Sequence, residues 1–189
     1  MQEYGDIREP RHDKDTESLN LAFWPSSVPL RQRWRNNGLS ADFLGDYVTT
    51  FFPLDENTPA TQNRRAEIQG AVAFIANELL ENAMKFHDQS LPEPITLHLN
   101  LDKERITLQE TNGTDNATAE RFQVFIQRVT ESDPDTLYME TLEKSATSEN
   151  TSGLGYLTMI NDYGAELAWR FETLPSGGCR VTTQVTIEI

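Results

Sequence analysis

The chain carries one cysteine, Cys179, and three histidines among its 189 residues. A lone thiol excludes an internal disulfide and a thiolate metal site. No apolar run approaches the length of a membrane span or the core of a signal peptide, so the expectation is a soluble cytoplasmic protein. Positive charge is scarce as well: 16 Lys and Arg stand against 30 Asp and Glu, a formal charge of −14. That surplus repels nucleic acid and anionic membranes, and it favours protein or metal-nucleotide partners. Internal repeats and low-complexity segments are also missing. What remains is a length suited to one core with an appended N-terminal element.

Aliphatic side chains are nearly absent from residues 1–17, MQEYGDIREPRHDKDTE, which read as a disordered charged tail. Residues 18–63 read as an N-terminal strand and helices serving packing or dimerisation. Leu19, Leu21 and Phe23 alternate as in one strand, and Pro25 and Pro29 then make a turn. In VPLRQRWRNNGLSADFLGDYVTTFFP, Gly38 can stop one helix and Ser40 can cap a second that runs to Pro53. Phe43, Leu44, Tyr47, Val48, Phe51 and Phe52 give this broken helix more apolar surface than one face needs. Core packing explains that most simply, and homodimerisation is the second reading. Arg31, Arg33 and Arg35 around Trp34 are better read as a solvated helix face than as a nucleic-acid patch in so acidic a chain.

After the polar linker LDENTPATQN, the longest helix runs from Arg64 to about His87. Ile95, Leu97, Leu99 and Leu101 then alternate, residues 102–105 turn, and Ile106 and Leu108 alternate again, as in a β-hairpin. From Asn116 to about Thr147 the spacing is helical, divided at Pro134. The helix YLTMINDY is stopped by Gly164, and a closing hairpin pairs Leu167, Trp169 and Phe171 with Val181 to Ile189. Helices gathered on one side of mostly antiparallel strands describe an α+β fold, a two-layer α/β sandwich.

The long helix carries polar groups in ELLENAMKF, Glu78 to Phe86. At about 100° per residue, Ile68, Val72, Ile75, Leu79, Ala83 and Phe86 share the core stripe. Glu78, Asn82 and Lys85 stack on a second stripe roughly a quarter-turn away, bordering the core, while Glu81 falls beyond it toward solvent. A surface strip with Glu-to-Lys pairing is the plain reading of that helix alone. Downstream, TSGLGY (Thr151 to Tyr156) places two glycines before a helix, where backbone can approach a phosphate and helix N-terminal amides can face it.

Taken in order, these parts resemble the GHKL superfamily of Bergerat-fold ATP-binding domains, over residues 64–189. ELLENAMKF is similar to its N box, and SGLGYLTMINDYGAEL (Ser152 to Leu167) to its last glycine box with the elements that follow. The resemblance implies ATP and Mg²⁺ as cofactors. Asn82 would hold the metal, Lys85 would contact phosphate, and Ser152, Gly153, Leu154 and Gly155 would form the loop around the phosphates. Glu78 implies a general base on this helix, as in the anti-sigma-factor and SiaB-type serine kinases of bacterial partner-switching systems, a branch that RWRNNGLSADF (Arg33 to Phe43) also resembles. His12, His87 and His98 lie in no phosphoacceptor segment of the histidine-kinase kind.

One motif departs from the family pattern. The adenine-reading Asp-x-Gly-x-Gly is replaced by LQETNGTDN. By strand register Glu110 takes the acid position and Asn112 replaces a glycine; aligned on Gly113, Thr111 takes the acid position and Asp115 replaces the second glycine. The lid segment, Thr114 to Thr151, has no glycine, so two helices stand where a flexible lid would be. The expected function is a Ser/Thr protein kinase that phosphorylates a small STAS- or SiaC-like antagonist, with a sigma factor or upstream sensor as further partners. The alternative is an adaptor with a degenerate nucleotide site that controls a partner by sequestration. A self-contained ATPase or histidine kinase ranks last.

Overall fold

The computed structural model describes residues 1–9, 16–24, 30–51, 59–147 and 153–189. In chain order these form β1 (Gln2–Tyr4), β2 (Glu17–Phe23), α1 (Leu30–Thr49), α2 (Pro59–Phe86), β3 (Ile95–Leu101) and β4 (Arg105–Thr114). Then follow α3 (Asn116–Glu131), α4 (Pro134–Thr147), α5 (Leu154–Tyr163), β5 (Glu166–Thr173) and β6 (Cys179–Glu188). The strands make one sheet in the order β1-β5-β6-β4-β3-β2, antiparallel at each of its pairings. Helices cover one face, as the alternation of the strands and the helical stripes required.

Period-two alternation fixes which side of each strand faces the helices. On β3, Ile95, Leu97, Leu99 and Leu101 are buried while the residues between them are half-buried. Against them lies α2, whose Val72, Ile75 and Leu79 are fully enclosed. Each such side chain contributes roughly 1.5–3 kcal/mol through the apolar surface it removes from water. α2 also buries Ala71, Ala76 and Leu80, because α1 packs along its other side through Ala41, Leu44 and Val48.

The opposite face of the sheet is polar. Thr107 and Thr186 hydroxyls meet at 3.3 Å, and those of Thr111 and Thr182 at 3.0 Å. The N-terminal residues lie against this face, where the Arg8 N–H donates to Gln184 Oε1 (2.9 Å) and Gln109 Nε2 donates to the Arg8 carbonyl (2.6 Å).

Three expectations are corrected here. Residues 1–9 are ordered rather than a disordered tail: β1 is the edge strand paired with β5, Tyr4 meets Phe171 edge-on at 5.9 Å, and Arg170 binds Glu3 and Glu9 at 2.6 Å each. Edge pairing is made by backbone groups and ion pairs, which a count of aliphatic side chains does not register. The rest of that segment, residues 10–15, falls outside the described residues. The long helix starts at Pro59 rather than Arg64, since proline suits a first helical position. Most consequentially, α1 is one helix, unbroken at Gly38 and uncapped at Ser40. Asn37, Ala41, Leu44 and Val48 form a single buried face through the glycine, so tertiary packing outweighs the local stop.

Gly38 has no positive φ, and an added Cβ would meet nothing within 4 Å. Gly38→Ala is therefore expected to raise stability by about 0.5–1 kcal/mol in urea unfolding. A loss of stability would indicate the broken helix instead.

Candidate functional site

A cleft of about 400 Å³ opens between α2, α3, the start of α5 and the helix-side face of β4 and β6. Its floor is set by strand alternation. Glu110, Asn112 and Thr114 are buried positions of β4 that line the cleft, and Thr183 and Val181 lie opposite Glu110 and Asn112 on β6. Its walls are aromatic: Phe122 and Phe125 from α3 stack with centroids 6.2 Å apart, and Tyr156 from α5 lies 5.7 Å from Phe122 and 6.0 Å from Phe125. Lys85 and Phe86 of α2 and Arg121 of α3 complete the lining. The Lys85 ammonium sits 5.1 Å from the Phe86 ring centre, and Arg121 Nη2 donates to the Thr118 hydroxyl at 2.7 Å.

Glu110 is the chemically conspicuous group. It is 3% exposed, and its Oε1 is buried without a hydrogen-bond partner. Burial pushes its carboxyl well above the usual carboxylate range, because the charged form loses its hydration. Burial raises the Tyr156 hydroxyl beside it too, with the charge of Glu110 adding and the neighbouring side chains of Thr183 and Asn82 opposing the shift.

The glycine bend shapes the rest. Gly153 caps α5 with φ +98°, and a Cβ there would strike the Phe125 ring. At Gly155 a Cβ would collide with the Glu78 carboxylate. Glu78 thus lies half-buried against the first turn of α5, behind the cleft rather than in its lining. Burial raises its carboxyl, and the negative charge of Glu81 adds to that. Glu81 itself is half-buried and accepts from Asn77 Nδ2 at 3.0 Å, where a solvent-facing position was expected.

Asn82, Lys85, Glu110 and Gly153 therefore meet in one cleft, with Glu78 and Gly155 in contact at its back. Thr111 and Gly113 are not part of it. β4 continues as a strand through Thr114, so odd-numbered positions face away from the helices. Thr111 bonds Thr182 there, and Gly113 packs on Leu91 and Glu93. In that register Glu110, and not Thr111, faces the cleft. Leu154 opens α5 outside the cleft lining, and Ser152 lies outside the described residues. Phe86, assigned by spacing to the core stripe, is 39% exposed and lines the cleft. Arg121, Tyr156 and Thr183 also line the cleft, and residue spacing carries no signal for them. Phe122 and Phe125 were legible only as a helical apolar stripe, which reads as core whether or not a cleft lies beneath it.

Among the described residues no three His, Cys, Asp or Glu side chains form a metal cluster. A cation here would be held by the Asn82 amide oxygen, with its other ligands supplied by the molecule it arrives with. An orphaned carboxyl oxygen, aromatic walls, two cations and a bare glycine bend fit a nucleotide.

Glu110 also couples stability to pH. Its folded carboxyl keeps its proton to a higher pH than the unfolded one, so the folded state binds more protons above the unfolded value near 4.5. Stability is fully present below that value and is lost as pH rises through the folded value, at about 1.4 kcal/mol per pH unit. Glu110→Gln should abolish this slope and unfold at higher denaturant than the parent at pH 8. Parallel pH profiles for the two proteins would show that the carboxyl is not held neutral.

No protein-family model matches the chain, and no curated protein matches it. Among solved structures it is similar to a chain of the SiaB–SiaC complex from Pseudomonas aeruginosa, with 15% identity over 90% of this chain and 89% of that chain and a TM-score of 0.55. At that identity the likeness is one of fold.

Proposed function

We propose that the cleft binds an adenine nucleotide with Mg²⁺, and that the protein is a Ser/Thr kinase of a bacterial partner-switching system acting on a small STAS- or SiaC-like antagonist. The observation that carries this is the buried Glu110 carboxyl, with one oxygen unpartnered, at the floor of an aromatic cleft lined also by two cations. A neutral carboxyl offers one O–H donor and one carbonyl acceptor, complementary to the neighbouring acceptor and amino donor on the pairing edge of adenine. Phe122, Phe125 and Tyr156 supply flat surfaces for the ring.

Lys85 and Arg121 would neutralise phosphate charge, and the Gly153 bend admits phosphate close to the first amides of α5. Bound Mg²⁺ would offset charge on the transferring phosphoryl group. Glu78 would accept the proton of the incoming hydroxyl, a role its raised carboxyl suits and one typically worth roughly 10²–10⁴-fold. Serving as base requires that carboxylate to turn from Gly155 toward the cleft. The SiaC-like partner is proposed because the matched fold belongs to a complex of two proteins. This reading agrees with the GHKL resemblance of ELLENAMKF and SGLGY.

The second reading, a GHKL-like adaptor without catalysis, is favoured by Glu78 facing Gly155 and by Asn112 standing where the family has glycine. Calorimetry with Mg-ATP and transfer of labelled phosphate to the partner distinguish them. The kinase reading expects saturable ATP binding, with Glu78→Gln keeping that binding and losing transfer by at least about 10²-fold. Intact partner binding with no ATP heat would leave the adaptor, and unchanged transfer would remove Glu78 as the base.

A further inference from the structure

The floor of the cleft carries a second polar group to which the nucleotide reading gives no task. Asn112 follows Glu110 by two residues on β4, so both lie on the same side of the sheet and line the cleft, roughly 7 Å apart along the strand. Asn112 is 6% exposed. Val181, opposite it on β6, is apolar, and the Thr114 hydroxyl beside it already donates to the Phe86 carbonyl at 2.8 Å. Among the described residues the Asn112 side chain makes no hydrogen bond. An aliphatic side chain would fill that place without burying an amide, so packing alone does not account for it.

The amide complements what the carboxyl leaves unread. Phe122, Phe125 and Tyr156 wall the cleft, so a flat base lying along them rests one edge on the β4 floor. On adenine, N1, the N6 amino group and N7 follow one another along such an edge. Glu110 is matched to N1 and to one amino hydrogen, which leaves the other amino hydrogen beside the acceptor N7. An asparagine amide meets that couple with both of its ends, the carbonyl oxygen accepting from N6 and the N–H donating to N7. Guanine presents two acceptors, O6 and N7, in the same places, and one donor beside one acceptor does not match them.

We propose that Asn112 is a specificity-determining residue: it reads the N6/N7 side of an adenine whose N1/N6 side lies on Glu110, and so sets a preference for adenine over guanine. This rests on the nucleotide reading given above and gives a task to the side chain that stands where the GHKL pattern has glycine.

The test pairs a change in the base with a change in the side chain, by calorimetric titration of the full-length protein with Mg²⁺ present. ADP is compared with 7-deaza-ADP, in which a C–H replaces N7. The parent should bind 7-deaza-ADP about tenfold more weakly than ADP, the scale of one hydrogen bond, and should bind GDP more weakly than ADP as well. Asn112→Leu, close in volume, should bind ADP and 7-deaza-ADP within about twofold of each other, because the donor to N7 is gone. Melting curves establish that the variant folds; where it does not, Asn112→Ala carries the same expectation, and the comparisons on the parent need no variant. Equal affinity of the parent for ADP and 7-deaza-ADP, equal affinity for ADP and GDP, or an undiminished 7-deaza penalty in a folded variant would overturn the role of Asn112 while leaving the nucleotide site standing. No binding of ADP by the parent would overturn that site as well.

Discussion

Burying the carboxyl of Glu110 without a partner for one oxygen is the constraint around which the helix-side face of the sheet is arranged. A charge there would be costly, so the group is held toward its neutral form, and everything near it either excludes water or accommodates a polar ligand. β4 supplies the position through simple alternation, α3 lays Phe122 and Phe125 over it, and α5 brings Tyr156 alongside. The two glycines at the start of α5 leave room that a side chain would not, since a Cβ at Gly153 would strike Phe125 and one at Gly155 would strike Glu78, which fits the bend closely to both α3 and α2.

Charge is distributed unevenly about this centre. The whole chain has a formal charge of −14, yet the ionisable side chains in the cleft lining, besides Glu110 and Tyr156, are the cations Lys85 and Arg121. A local positive lining on an acidic body focuses anions toward one place and repels them elsewhere. Neither cation is placed for the sake of the fold: Lys85 is exposed at the end of α2 and Arg121 exposed on α3.

Much of the architecture was legible because it rests on periodicity. The strands from Ile95 to Leu108 and from Val181 onward, the division at Pro134 and the stop at Gly164 all stand where side-chain spacing puts them. The failures have a common cause, since α1 and β1 depend on partners distant in sequence. Gly38 looks like a terminator until Ala41, Leu44 and Val48 beyond it are seen packing with α2, and residues 2–4 look featureless until β5 offers a strand to pair with. The site was half-legible for a related reason. Spacing on one helix could align Glu78, Asn82 and Lys85, but whether Glu110 or Thr111 faces inward depends on how far β4 continues, and that is fixed by its pairing with β6 through Thr114. Arg121 and Tyr156 join the cleft only through tertiary packing of α3 and α5.

The account stands or falls on what occupies the space above Glu110. A crystal structure grown with ADP and Mg²⁺ tests this most directly: the account predicts the adenine edge on the Glu110 carboxyl, rings of Phe122 and Tyr156 beside the base, and phosphates between Lys85, Arg121 and the Gly153 bend. Nucleotide bound on another surface, or a cleft that closes over its aromatic side chains and admits none, would contradict it.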